Sequence, residues 1–362
     1  MLEVKMTKYS YSKIKAYENC PYQYKLKYID KLKADVSDTI ETFMGDIVHR
    51  SLDYLYKRKK FRKRISKKIL IKFYRDLWNR EYSKDIRIVK EGIYAEDYRK
   101  MGEKYLSDYY DRMKPFEQMI IIALETQDSI TLPDGNKWHV RIDKLGCDNE
   151  GNYYVCDYKT SLSMKEQEEA DSDRQLAMYS IWVRDKFKDA KSVKLVWHML
   201  AFNKEIISDR TEEQLKKLQE GVVEIIKKIK SAKEFPRKQS ALCDYCFYRD
   251  QCPSFKHKVE SDKIEDVKRF KENDGVKLVD EFSEIRTRLA ELKSKEEKFK
   301  EKLMAYAKRF AVDIVYGSNM KCSVKEIDKV ILPEDKEEKE KFIKLIKDLG
   351  LYDEYSMICY SK

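Results

Sequence analysis

Glycine and proline are scarce in this chain, with 10 and 6 among 362 residues. That scarcity excludes collagen-like and Pro/Gly-rich low-complexity chains and argues for long helices joined by few elaborate loops. No uninterrupted apolar run approaches the ~20 residues of a membrane span. The opening segment MLEVKMTKYSYSK has no apolar stretch of the signal-peptide kind. The expectation is a soluble, intracellular (cytoplasmic) protein with no membrane partner. Such a setting in turn argues against a disulfide framework for the 8 cysteines. There is no internal repeat.

Charge is abundant instead. Charged residues make up 39% of the chain and leave a formal net charge of +11, which favours an anionic partner and says nothing about fold. Much of the excess is local: KRKKFRKRISKK (57–68) holds nine basic residues and no acid, so the other 350 residues carry only +2. This run reads equally as a phosphate-tracking arm or as a solvated connector between helices. Phe61 and Ile65 within it can pack or stack on bases. Hydrophobic residues at 42%, with 26 Tyr and 14 Phe, exclude wholesale disorder. The length suits roughly two to three domains at ~150 residues each.

Patterning predicts helices from Ser10 or Ser12 toward Cys20, from Pro21 onward, over 39–56, near 66–82 and near 95–114. After Pro115 the texture turns β-like. Strands separated by PDGN (133–136) and by Asn149-Glu150-Gly151 read as an antiparallel meander ending in NYYVCDYKT. A helix over about 173–187, strands near 192–202 and 204–208, and a helix over 211–232 complete a mixed sheet with helices on its faces, an α/β (α+β) fold. The cysteines at 243, 246 and 252 fall in a loop after Pro236. Residues 257–277 read as a polar linker. Beyond it Leu278, Phe282, Ile285, Leu289, Leu292, Phe299, Leu303, Tyr306 and Phe310 keep a 4-3 spacing broken by Glu296. That predicts one long helix facing a core or packing on itself, with a dimerising coiled coil as the sharper alternative. A hairpin around 317–319 and a helix over 335–349 close the chain.

The constellation richest in chemistry lies on the meander. Along a strand, Asp157 and Lys159 point to one face and Tyr158 to the other, and Asp143 on the preceding strand can reach the same spot. Taken alone, Asp-x-Lys in so charged a chain is the pattern of a surface ion pair. Flanking Tyr153, Val155 and Val140 set these carboxylates against a core, where unpaired charges are uncommon. Two carboxylates can hold Mg²⁺ through oxygen and leave positions for water and phosphate, with a lysine beside them to orient water or stabilise charge. His49 on an amphipathic helix reads either as a packed residue or as a further ligand, with Gly45 one turn before it. His139, His198 and His257 have no such support. Cys243-x2-Cys246-x5-Cys252 reads as a zinc site completed by His257, as small core residues, or with Cys20 as four thiolates around an iron–sulfur cluster.

The stretch Glu125 … Val140-Arg141-Ile142-Asp143 … Val155-Cys156-Asp157-Tyr158-Lys159-Thr160 resembles the core of PD-(D/E)xK nucleases of the RecB-like branch. CPYQY at 20–24, Gly45-x3-His49 and Gln175-x3-Tyr179 are similar to that family's opening, first active-site and helix motifs, in family order. The cysteine tail matches the iron–sulfur members, which include the AddB nuclease domain and CRISPR-associated adaptation nucleases. The resemblance covers about residues 8–256. It implies a restriction-endonuclease-like fold, with His49, Asp143 and Asp157 as ligands of Mg²⁺ or Mn²⁺ and Lys159 as the catalytic lysine. Gln175 and Tyr179 would support the site or touch DNA, and Glu125 would stand behind the ligands. It also implies a [4Fe–4S] cluster on Cys20, Cys243, Cys246 and Cys252, acting as a staple. Position 157 is Asp, one of the two acids the pattern allows.

Together these readings predict a nuclease domain over 1–256, a linker over 257–277 and a helical accessory region over 278–362. The expected function is a metal-dependent DNA nuclease, more an exonuclease than an endonuclease, acting on single-stranded or duplex ends in repair, recombination or phage/CRISPR-type DNA processing. With no GxxxxGK[ST] loop, any helicase or recombination partner would be a separate protein. Self-association would run through 278–310. The competing readings are a non-catalytic zinc-containing nucleic-acid-binding protein and a coiled-coil interaction protein.

Overall fold

The alternating β-branched and aromatic residues of 120–159 form the antiparallel meander their pattern predicts. In the computed structural model, which describes residues 8–61, 65–264, 266–324 and 336–350, the chain divides into two compact units, 1–263 and 264–362. The first runs β1 (Lys8–Tyr9), α1 (Tyr11–Asn19), α2 (Pro21–Tyr24), α3 (Ile40–Lys60), α4 (Lys67–Glu81), α5 (Ala95–Met113), β2 (Ile120–Thr131), β3 (Lys137–Cys147), β4 (Asn152–Lys159), α6 (Gln167–Asp171), α7 (Arg174–Lys186), β5 (Ser192–Met199), β6 (Lys204–Ser208), α8 (Glu212–Ser231) and α9 (Lys256–Asp262). A π-helical turn at Lys25–Ile29 follows α2.

Local chemistry sets the helix starts. Ser10 caps α1 by accepting the Lys13 amide, Ser66 caps α4, and Asp173 caps α7 by accepting the amides of Gln175 and Leu176. Pro21 occupies the first turn of α2, where its missing N–H is not needed.

The sheet is mixed. Strand β3 carries antiparallel β2 along one edge; its other edge carries parallel β1 at residues 137–138 and antiparallel β4 only at 144–147. Between those two pairings, residues 139–143 have no strand beside them on that edge among the described residues. Strands β4 and β5 are parallel, joined through α6 and α7, and β6 returns antiparallel to β5. Trp138, Val155, Leu195 and Trp197 pack with α1, α7 and α8 on one side. Helices α3, α4 and α5 cover Tyr158 and Leu200 on the other. Each fully buried side chain of this size contributes roughly 1.5–3 kcal/mol. The result is a restriction-endonuclease-like mixed sheet flanked by helices.

The second unit holds α10 (Val267–Glu272), α11 (Asp274–Phe310), the hairpin β7 (Ile314–Tyr316) and β8 (Lys321–Ser323), and α12 (Lys336–Asp348). Helices α9, α10 and the start of α11 occupy the polar stretch 257–277. One expectation is corrected here. The 4-3 seam does not face a core: Leu278, Phe282, Ile285, Leu292 and Phe299 are exposed, and Ala307 is the buried residue of α11. A 4-3 spacing specifies an apolar stripe but not what covers it. No helix among the described residues is long and apolar enough to cross a membrane. Of the basic run, 62–64 lie outside the described residues, Phe61 is exposed, and Ile65 packs against the α3–α5 core.

Candidate active site and cysteine cavity

The interruption in the edge of β3 is where the site forms. The last β3–β4 pair is Lys144 with Cys156; one residue further, Asp143 and Asp157 stand where the ladder no longer continues. The Tyr158 amide donates instead to Asp143 Oδ2, at 2.9 Å. His49, on α3, closes the arrangement. Its Nε2 is 2.8 Å from the Tyr158 carbonyl, which can only accept, so this nitrogen carries a proton. Its Nδ1 lies 3.2 Å from Asp143 Oδ2. Gly45 lets α3 come this close: a Cβ there would stand 3.1 Å from Thr160 Oγ1, just past the end of β4.

Asp157 and Lys159 share one face of β4 as strand periodicity requires. Lys159 Nζ is 2.7 Å from Asp157 Oδ2, yet off the hydrogen-bonding direction, and that buried oxygen has no hydrogen-bond partner. Gln175, at the start of α7, bridges the two: its Nε2 donates to Asp157 Oδ1 at 3.1 Å and its Oε1 accepts from Lys159 at 3.2 Å. Tyr179, one turn on, is buried beside them, its phenol pushed up to about 12 by burial and the Asp157 charge.

Burial and charge divide the titrating groups. Burial opposes charge on Asp143, but His49 and the Tyr158 amide outweigh it and hold the acid below its ordinary range. Asp157 is held above that range by burial and by Asp143, against the pull of Lys159. Burial would lower Lys159 and His49 too. Asp157 keeps Lys159 raised and Asp143 keeps His49 raised, so the lysine stays protonated at neutral pH.

Glu125 stands close to the two residues just described: one ligand atom each from His49, Glu125 and Asp143 lie within 4.8 Å of one another. On β2 it faces Asp143 in the gap between the pairs Leu124–Lys144 and Thr126–Ile142, with φ at +47°. A glutamate inside a β-like apolar run was the available signal; the left-handed backbone that aims it inward has none. His139 and Arg141, two and one strand repeats from Asp143, also line the cleft of about 490 Å³ that holds His49, Asp143, Asp157, Lys159, Gln175 and Tyr179. On the far side of the sheet sits Lys144, fully buried among the rings and hydroxyls of Tyr56, Tyr109 and Tyr158. The sequence reading did not single it out.

The four cysteines predicted to act together also converge. Cys20, Cys243, Cys246 and Cys252 line one cavity of about 200 Å³, and burial, with the other three thiols nearby, pushes the Cys246 thiol up. Their loop is tied down well: Arg87 donates to the Cys246 carbonyl, the Asp35 amide to the Phe247 carbonyl, and the Asp250 amide to Asp35. Cys147 and Cys156, on β3 and β4, do not line this cavity, and Cys359 lies outside the described residues.

The donor set of one imidazole and several carboxylates suits a hard divalent cation. Among curated proteins none matches this chain. Among solved structures, one titled "Crystal structure of SSO0001" is similar at 14% identity, covering 70% of this chain and 89% of its own, with a TM-score of 0.32. A family description, PD-(D/E)XK nuclease superfamily, matches residues 8–253, a span that takes in the sheet, the cleft and all four converging cysteines. The chain belongs to the PD-(D/E)XK nuclease superfamily.

Proposed function

We propose that the protein is a metal-dependent deoxyribonuclease, an exonuclease that hydrolyses phosphodiester bonds at single-stranded or duplex DNA ends in repair, recombination or phage- or CRISPR-type DNA processing. His49, Glu125, Asp143 and Asp157 would hold Mg²⁺ or Mn²⁺. When bound, such an ion supplies Lewis acidity at the phosphoryl oxygens and a water of lowered pKa. Lys159 keeps its proton, and its ammonium group orients the attacking water and stabilises charge building on the phosphate. Gln175 fixes Asp157 and Lys159 relative to one another. Tyr179 walls the site on the α7 side.

Cys20, Cys243, Cys246 and Cys252 would carry a [4Fe–4S] cluster, for which four thiolates are the ordinary ligand set. In this reading the cluster ties the N-terminal helices to the end of the nuclease domain. Self-association through 278–310 would cover the exposed seam of α11.

The observation that carries the reading is the meeting of His49, Asp143, Asp157 and Lys159 in one cleft, with Glu125 near enough to His49 and Asp143 to share an ion with them. The test is degradation of end-labelled single- and double-stranded DNA with Mg²⁺ and Mn²⁺ in turn, for wild type and Lys159→Ala. Metal-dependent products from wild type and none from the variant are expected. Wild-type protein inert on every DNA and RNA end with both metals would sink the proposal. Absorbance of anaerobically purified protein separates the cluster from zinc: iron–sulfur protein is brown, whereas zinc, with its full d-shell, is colourless.

A further inference from the structure

The catalytic cleft does not end at His49. Glu41, Thr42 and Thr160 form a wall it shares with a second cavity of about 340 Å³, in the lower part of the range for small-ligand pockets. Beyond that wall the lining changes from carboxylates and bases to Met44, Met101, Leu162 and the ring of Tyr245, with Lys90 as its one basic residue. Leu162 and Lys90 are exposed. Tyr245 lies on the cysteine loop, whose backbone Arg87 and Asp35 pin in place.

We propose that this cavity is a subsite for one unstacked nucleobase of the strand being cut, with Lys90 receiving a phosphate at its rim. The assignment rests on the nuclease reading and adds to it a place where the strand must be unpaired. A phosphate does not suit the chamber itself, because the Glu41 carboxylate, which accepts the Tyr98 hydroxyl at 2.7 Å, stands on the shared wall. An uncharged aromatic base does suit it: Tyr245 offers a ring face, and the methionines and Leu162 offer soft apolar contact. Because the chamber and the cleft share the Glu41–Thr42–Thr160 wall, a strand whose phosphate sits at Asp143 and Asp157 passes beside the chamber and can place a nearby base in it.

The test uses the full chain and single-stranded oligonucleotides carrying one abasic residue, walked position by position past the cleaved bond. Wild type should lose about tenfold in kcat/KM when the abasic residue falls at one position beside that bond, and less than twofold elsewhere; stacking of one base on one aromatic ring is of this order. Tyr245→Ala and the exposed-site variant Leu162→Ala should show that loss on the intact strand and little further loss on the abasic one. Tyr245→Phe, which keeps the ring, should behave as wild type. Cleavage by wild type that ignores the abasic residue at every position removes the subsite and leaves the nuclease reading standing. So does an undiminished abasic penalty in both Tyr245→Ala and Leu162→Ala. Absence of cleavage of any strand removes both.

Discussion

Asp143 takes the Tyr158 amide into a side-chain hydrogen bond at 2.9 Å, where a continuing sheet would have given that amide to a backbone carbonyl. The same carboxylate oxygen faces His49, whose other nitrogen holds the Tyr158 carbonyl. Both backbone polar groups of Tyr158 are therefore satisfied by the side chains of Asp143 and His49. Asp157 belongs to a different set, formed with Gln175 and Lys159. The two acids thus lie side by side while depending on separate supports.

That separation makes the Lys159 variant informative. Lys159→Ala should reduce cleavage by about a thousandfold, the scale on which a preorganised charge-stabilising donor acts. Divalent-ion binding, read by calorimetry, should persist, since Asp143, Glu125 and His49 keep their contacts and Asp157 loses a competing cation. Gln175→Ala should cost about tenfold, because Asp157 and Lys159 still meet at 2.7 Å without it. A variant that loses metal binding together with cleavage would show the lysine to be structural.

Glu125 carries its strain in the backbone. A non-glycine residue in the left-handed region costs of order 1–2 kcal/mol, and φ at +47° places Glu125 there. Glu125→Gly should therefore leave stability unchanged or raise it by about 1 kcal/mol in denaturant melts. Metal affinity should drop tenfold or more, because the proposed ligand set loses a carboxylate. A loss of stability in this variant would mean that the side chain holds the sheet together.

Much of this architecture is legible in the chain. Cores on both sides of the sheet follow from the alternation of Tyr153 and Val155 with Cys156 and Tyr158, and Asp157-x-Lys159 share a face because strands repeat every two residues. What could not be read is set by tertiary geometry. Local propensity does not register a two-residue strand such as β1, which exists only because β3 offers it an edge. The inward turn of Glu125 depends on a gap in the β2–β3 ladder that no composition signals. Lys144 carries the most solvent-seeking side chain in the sequence alphabet and is nevertheless fully buried, because Tyr56 and Tyr109 put their hydroxyls 3.3 and 3.1 Å from its Nζ. The spacing along α11 specifies an apolar stripe, and that stripe does not face a core among the described residues.

Gly45 sets how near α3 comes to β4. In a helix interior, Gly→Ala ordinarily gains about 1 kcal/mol of helix propensity. Here the added Cβ meets Thr160 Oγ1 at 3.1 Å, so Thr160 or the helix must give by a few tenths of an ångström. His49 lies one turn along the same helix and moves with it. Gly45→Ala is expected to melt within about 1 kcal/mol of wild type while binding Mn²⁺ at least tenfold more weakly, as titration would show. Unchanged metal affinity would mean that Thr160 yields and the helix does not.

His198 offers a stability test that needs no metal. It is fully buried, stacked on Tyr158 and edge-on to Tyr109, with Glu205 3.0 Å from Nδ1 and Lys144 and Arg112 among the charges around it. Burial first, then Lys144, lowers its pKa to about 4 despite Glu205. A depressed histidine is neutral in the fold and takes up its proton more readily when unfolded. Its stabilising contribution is thus complete above about pH 6.5 and is lost as pH falls toward 4. Between pH 7.5 and 5 this amounts to about 2 kcal/mol, before unfolded-state protonation of glutamates such as Glu205 becomes large. His49, whose pKa is raised, works in the opposite direction, so wild type alone mixes the two effects. The difference between wild type and His198→Phe, which keeps an aromatic ring against Tyr158 and cannot titrate, isolates His198. Urea melts of metal-free protein across this range should show wild type losing about 2 kcal/mol more than His198→Phe as pH falls; parallel curves would mean that His198 is not held neutral by its surroundings.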